Sequence, residues 1–94
     1  MSYITISHWT AEEWNGEMEA VARNKFQPMV MSMRASGVQF LRTGALTMSV
    51  VPHYADEAAA TDAQAKIAVI RAQAADELPI KMDTSVGGNV FTSA

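Results

Sequence analysis

His8 and His53 are the only imidazoles in this 94-residue chain. With an ordinary pKa of about 6.5, such a group can take up and return a proton near neutrality. His8 continues the alternation of Ile4 and Ile6, which places it on the strand face turned towards the helices, near the strand end. There it could move a proton or orient a phenolic substrate, although a histidine at a strand end also serves as a structural residue with one hydrogen-bond partner. His53 follows Pro52 and precedes Tyr54. The first and third strands are expected to be neighbours that run parallel, so that their C-terminal ends lie together and His8 can converge with His53. The candidate catalytic set is therefore His8, His53 and Tyr54, with Trp9 or Tyr54 assisting His8. A His-Tyr pair in a loop also reads as a solvated surface or a dimer contact. Two imidazoles with no third ligand at a suitable spacing do not make a usual metal site, so no metal is expected.

A second set is apolar and polarizable. Trp9, Trp14, Met18 and Phe26, with Met29, Met31 and Met33 behind them, suit a flat or greasy ligand, and equally suit a helix that fills core. Arg42 is placed to meet an anionic group of a ligand or a neighbouring carboxylate. These considerations make Trp9, Trp14, Met18, Phe26 and Arg42 the candidate substrate-binding residues. Asn24 falls off the apolar stripe and is expected to meet water. Other chemistries are excluded: the chain has no cysteine, hence no thiolate nucleophile, disulfide or cysteine-held metal. It has neither a GxSxG elbow nor a phosphate-cradling loop, Gly87-Gly88 being too short for one.

These residues must be positioned by regular elements. Tyr3 to Trp9 alternates with period two and is rich in β-branched and aromatic residues, the pattern of a strand. Thr10-Ala11-Glu12-Glu13 fits a capping box and predicts a helix start. Trp14, Met18, Val21, Lys25, Met29 and Met33 then recur at helical spacing to about Ala35, with a kink or break at Pro28 and a left-handed closing residue in Ser36-Gly37. Val38 to Arg42 reads as a second strand, Thr43-Gly44-Ala45 as a turn and Leu46 to Val51 as a third strand that ends at Pro52. Asp56 caps an alanine-rich helix from Glu57 to Leu78, with a core stripe of Ala63, Ile67, Ile70, Ala74 and Leu78 and an interruption allowed at Thr61-Asp62. Pro79 ends it. Met82 to Ser93 is expected to form a strand bent at Gly87-Gly88, better formed over Asn89–Ser93.

A chain that is 49% apolar and 18% charged is globular, and its length fits one domain spanning residues 1–94. A net charge of −3 argues against nucleic acid or an anionic membrane as partner. The N-terminus lacks a basic region ahead of an apolar one, and no run nears the ~18 apolar residues of a membrane span, so a soluble, cytoplasmic protein is expected.

The order strand, helix, strand, strand, helix, strand is the ferredoxin-like βαββαβ plan, an α+β fold with a four-stranded antiparallel sheet and both helices on one face. The uncovered face, expected to show Tyr3, Trp9, Leu41 and Val51 among Thr5, Ser7, Thr47 and Ser49, is too apolar for water. A second copy is the expected cover, giving a homodimer joined through the sheet faces.

The chain resembles the dimeric α+β barrel superfamily, and within it the small antibiotic biosynthesis monooxygenase-like proteins. The resemblance rests on Tyr3-Ile4-Thr5-Ile6, on Phe26-Gln27-Pro28-Met29 through Gly37, on Val50-Val51, on Asp56-Glu57-Ala58 and on Gly88-Asn89-Val90-Phe91. It implies a dimeric α+β barrel with a pocket between helices and sheet in each subunit. By implication the activity is that of a monooxygenase or other oxidoreductase that needs no cofactor and acts on a small apolar or aromatic, phenolic or quinol, substrate. His8 would deprotonate the substrate, whose own electrons activate oxygen. A non-catalytic ligand-binding or structural dimer is the alternative. Haem-degrading relatives carry an asparagine on the first strand; here Ser7 and His8 stand there, and haem chemistry is set aside.

Overall fold

The computed structural model describes residues 2–94. Strand β1 spans Tyr3–Ala11. Helix α1 (Gly16–Val21), a π-helical turn (Ala22–Phe26) and helix α2 (Gln27–Met31) form one winding segment. Strands β2 (Gly37–Arg42) and β3 (Thr47–Tyr54), helix α3 (Glu57–Glu77) and strand β4 (Ile80–Asn89) complete the chain. The sheet is antiparallel throughout in the order β2-β3-β1-β4, with the helices on one face. This is the ferredoxin-like α+β architecture.

Several local expectations are corrected. The first helix starts at Asn15, whose Oδ1 accepts from the Met18 amide at 3.0 Å, and not at Thr10. Thr10 stays in β1, where its hydroxyl donates to Asp83, and the buried Ala11 extends the strand through a 2.8 Å bond to the Leu46 carbonyl. The helical segment divides ahead of Pro28 as its missing N–H requires: the Gln27 amide reaches back five residues to Ala22, and Pro28 sits in the first turn of α2. Its end at Met31 is followed by Arg34 at φ 65°, so Arg34, not Gly37, takes the left-handed position. Pro52 lies inside β3, not at its end; β1–β3 pairs run from Thr10↔Thr47 to Ser7↔Val50 and resume at Ile4↔His53. Helix α3 is unbroken at Thr61-Asp62, and Asp56 caps it by accepting from the Ala59 amide at 2.8 Å.

The last strand is the reverse of expectation, since its well-paired part precedes Asn89 and its bulge lies opposite His8 and Trp9, not at Gly87-Gly88. Gly87 pairs regularly with Thr5. Its lack of a side chain matters because a Cβ there would fall 2.5 Å from the Tyr3 hydroxyl.

The parity of β1 is also inverted. Ser7, Trp9 and Ala11 are buried, while His8 is exposed. The residues with odd numbers face the helices, and Ile4, Ile6 and His8 face the open side. Both sets mix apolar and polar residues, and the larger aromatic area of Tyr3 and Trp9 decides which set goes under the helices. Beneath the helices the interior forms two clusters. One gathers Val30, Met33, Ala35, Tyr54, Ala60, Ala63 and Ile67; the other gathers Phe26, Ala74 and Leu78, with Trp14 and Met18 packed against them.

Candidate functional site

Between the two clusters lies a cavity of about 310 Å³, roofed by the helices and floored by the sheet. Val30 and Ile67 wall it on one side, and Phe26, Ala74 and Leu78 on the other. Space is left because small side chains, Ser7 on the floor and Ala22 and Ala74 on the roof, stand where larger ones would meet. The π-helical turn contributes Ala22, Arg23 and Phe26, the kind of local unwinding that often accompanies functional sites. Trp9, Trp14, Phe40, Met48 and Val50 make the lining largely aromatic and aliphatic.

Its polar groups are few and mostly engaged. The Trp9 indole Nε1 donates to Ser7 Oγ at 2.8 Å, which fixes the ring on the floor. The Trp14 Nε1 donates to Glu19 Oε1 at 3.2 Å, and Arg42 approaches the same oxygen at 3.5 Å. Since Glu19 is on α1 and Arg42 on the edge strand β2, this half-exposed ion pair joins helix to sheet at the rim. Arg71, on α3, lines the cavity and donates to Ser85 Oγ of β4 at 3.1 Å.

Of the residues singled out in the sequence, Trp9, Trp14, Phe26 and Arg42 line this cavity. Met18 stands just behind, against the Phe26 cluster. The histidines do not line it. His8 lies on the open face, its Nδ1 2.8 Å from Ser49 Oγ, and His53 lies near the Gln39 amide oxygen at 3.3 Å. Nor do they converge: β1 and β3 are antiparallel, so His8 is opposite Ser49 and His53 is opposite Ile4. Adjacent strands in an all-antiparallel sheet bring opposite ends together, which removes the expected pairing. Tyr54 is 1% exposed inside the other core cluster, where burial raises its phenol pKa and the positive charge of Arg71 acts in the opposite sense. Among the described residues no three His, Asp or Glu side chains gather as a metal site.

Glu19, Ser7 and Arg71 were not singled out by sequence reasoning. Glu19 falls off the apolar stripe of the first helix. Arg71 had a legible signal, because Ile67, Arg71, Ala74 and Leu78 follow one another at spacings of four and three on the buried side of α3.

No family model matches the chain, and no curated protein matches it. Solved structures do. SnoaB, a cofactor-independent oxygenase from Streptomyces nogalater, superposes with a TM-score of 0.71 at 13% identity, over 98% of this chain and 95% of that one. Rv0793 from Mycobacterium tuberculosis gives 0.65 at 11% identity, over 100% and 99%. A dimeric ferredoxin-like protein from an uncultured marine organism gives 0.61 at 14% identity, over 99% and 98%. At these identities what is shared is the fold, the ferredoxin-like α+β architecture.

Proposed function

We propose that this chain is a cofactor-independent, monooxygenase-like oxidoreductase that holds a small apolar or aromatic molecule, phenolic or quinol, between its helices and its sheet. The observation that carries this reading is the cavity itself: about 310 Å³, with both tryptophans and Phe26 in its wall. That volume is at the lower end of the roughly 300–1,000 Å³ used for small-molecule sites. The fold held in common with the oxygenase SnoaB supports the reaction class by analogy.

What the cavity lining supports as the proton acceptor is a carboxylate. Glu19 is the one carboxylate in the lining. In this reading Glu19 accepts the proton of a phenolic or activated carbon acid whose ring rests on Trp9 and Trp14, and His8, on the open face, does not reach it. The resulting electron-rich anion reduces oxygen directly, so the protein supplies position, dryness and a base.

The open sheet face supports self-association. Ile4, Ile6 and Val51 are only half covered there, and Leu41 and Val86 are 45% and 60% exposed. A second copy laid face to face removes this area from water.

The test is oxygen uptake with anthrone and with 1,4-naphthohydroquinone. Uptake above the uncatalysed rate that is lost in Glu19→Gln, with binding retained, supports the reading. Uptake no faster than without protein contradicts it. In that case the alternative is a non-catalytic ligand-binding or structural dimer, a reading that the prior engagement of Glu19 by Trp14 and Arg42 favours.

A further inference from the structure

The charges around the cavity do not match those of the chain. The protein carries ten acidic and seven basic side chains. Three of the basic ones, Arg23, Arg42 and Arg71, line the cavity, against Glu19 alone among the acidic ones. An acidic protein has thus gathered positive charge around this apolar hollow. Arg42 is paired with Glu19. Arg23 is exposed on the π-helical turn, open to water.

Arg71 differs from both. It is half-buried, it reaches from α3 to the sheet, and its only hydrogen bond among the described side chains goes to a neutral hydroxyl, Ser85 Oγ. No carboxylate lies within 4.0 Å of it among the described residues. A guanidinium presents five N–H donors in a fixed fork, and one serine satisfies little of that capacity. Burial also lowers its pKa, as befits a cation short of compensating charge.

A second unmet group lies on the covered face of β1. Ser85 is opposite Ser7 in the sheet, and Thr5 is the next residue of β1 on the same face. The Thr5 Oγ1 is buried and has no hydrogen-bond partner among the described residues. Buried polar atoms are seldom left so, but Thr5 does not line the cavity, and it is Arg71 that points to a ligand.

We propose that Arg71, steadied from outside the lining by the exposed Ser85, forms an anion-binding subsite at the edge of the cavity, so that the ligand is an aromatic molecule bearing a carboxylate or similarly anionic oxygen group. The apolar ring fills the space between Trp9, Trp14 and Phe26, and the anionic oxygens meet the guanidinium edge that Ser85 leaves free. This inference rests on the ligand-binding reading of the same cavity and adds the charge and orientation of what enters it.

The probes are 2-naphthoate and its neutral counterpart 2-naphthalenemethanol, titrated calorimetrically into the protein, Arg71→Met and Arg71→Lys. On the unaltered protein, naphthoate binds about tenfold or more tightly than the alcohol, as a charge-assisted contact implies. In Arg71→Met the two ligands come within about twofold of each other, while affinity for the alcohol is kept, which shows that the variant still folds around the cavity. Arg71→Lys keeps part of the preference. If the alcohol binds but naphthoate has no advantage on the unaltered protein, or keeps its advantage in Arg71→Met, the subsite is overturned and the cavity reading survives. If neither ligand binds, both fall.

Discussion

The indole N–H of Trp9 and the hydroxyl of Ser7, two residues apart on the covered face of β1, are joined by a 2.8 Å hydrogen bond under the helices. Both residues are buried, at 5% and 2% exposure, so neither group can turn to water instead. The bond lets a large aromatic ring be buried in the cavity lining without stranding its polar edge. Ser7→Ala should cost about 1–3 kcal/mol in chemical unfolding, because it leaves a buried donor unmet. In a Trp9→Phe background the same change should cost far less. Equal costs in the two backgrounds would show that the hydrogen bond is not coupled to stability.

Gly87 admits the Tyr3 ring. A Cβ at residue 87 would lie 2.5 Å from the phenol oxygen and 2.9 and 3.0 Å from ring carbons, and Tyr3 is held by the core cluster it packs against. Gly87→Ala is expected to destabilise by about 1–3 kcal/mol in thermal or urea unfolding. Gly37→Ala, where a new Cβ meets nothing within 4 Å, should be nearly neutral. Similar losses at the two positions would contradict this account of Gly87.

Tyr54 gives a pH dependence with a definite sign. Burial holds its phenol above the ordinary value of 10.0, with Arg71 pulling the other way. A group whose folded pKa exceeds its unfolded one contributes its stability fully below the unfolded pKa and loses it as pH rises through the folded one. Urea midpoints should therefore fall as pH climbs above about 10. They should fall less steeply in Tyr54→Phe, and parallel curves would rule Tyr54 out as the cause.

Self-association depends on the face that carries Ile6. Replacing it by glutamate puts a charge at the centre of the proposed interface without touching the cavity side of β1. Sedimentation velocity should show the species at twice 10.2 kDa give way to one of 10.2 kDa. A dimer of unchanged strength would move the interface elsewhere.

The elements were legible where local chemistry is unambiguous. Asp56 and the alanine-rich run define α3, and the alternation at Val38–Arg42 and Leu46–Val51 marks the hairpin strands. The position of Pro28 foretells the break in the first helical segment. Legibility failed where two patterns were equally good. In β1 the sets Ile4, Ile6, His8 and Tyr3, Ser7, Trp9 are each partly apolar, so the period-two pattern by itself does not say which face the helices cover. That ambiguity turned His8 away from the cavity. Thr10 imitated a helix cap while serving as strand, since the pairing of β1 with β4 continues to Ala11↔Ile80. Arg71 is charged, so an apolar stripe on α3 passes over it although its spacing from Ile67 and Ala74 fits.

Both tryptophans of the chain line the cavity, so its occupation can be read in the intrinsic fluorescence of the protein. Titration with 1,4-naphthoquinone, which quenches indole emission, should give a saturating decrease in the unaltered protein. In Ala22→Phe, where a ring fills the roof, that saturating decrease should be lost while circular dichroism stays native. A quench that rises only linearly, and equally in both proteins, would mean that the hollow between helices and sheet takes up no aromatic molecule.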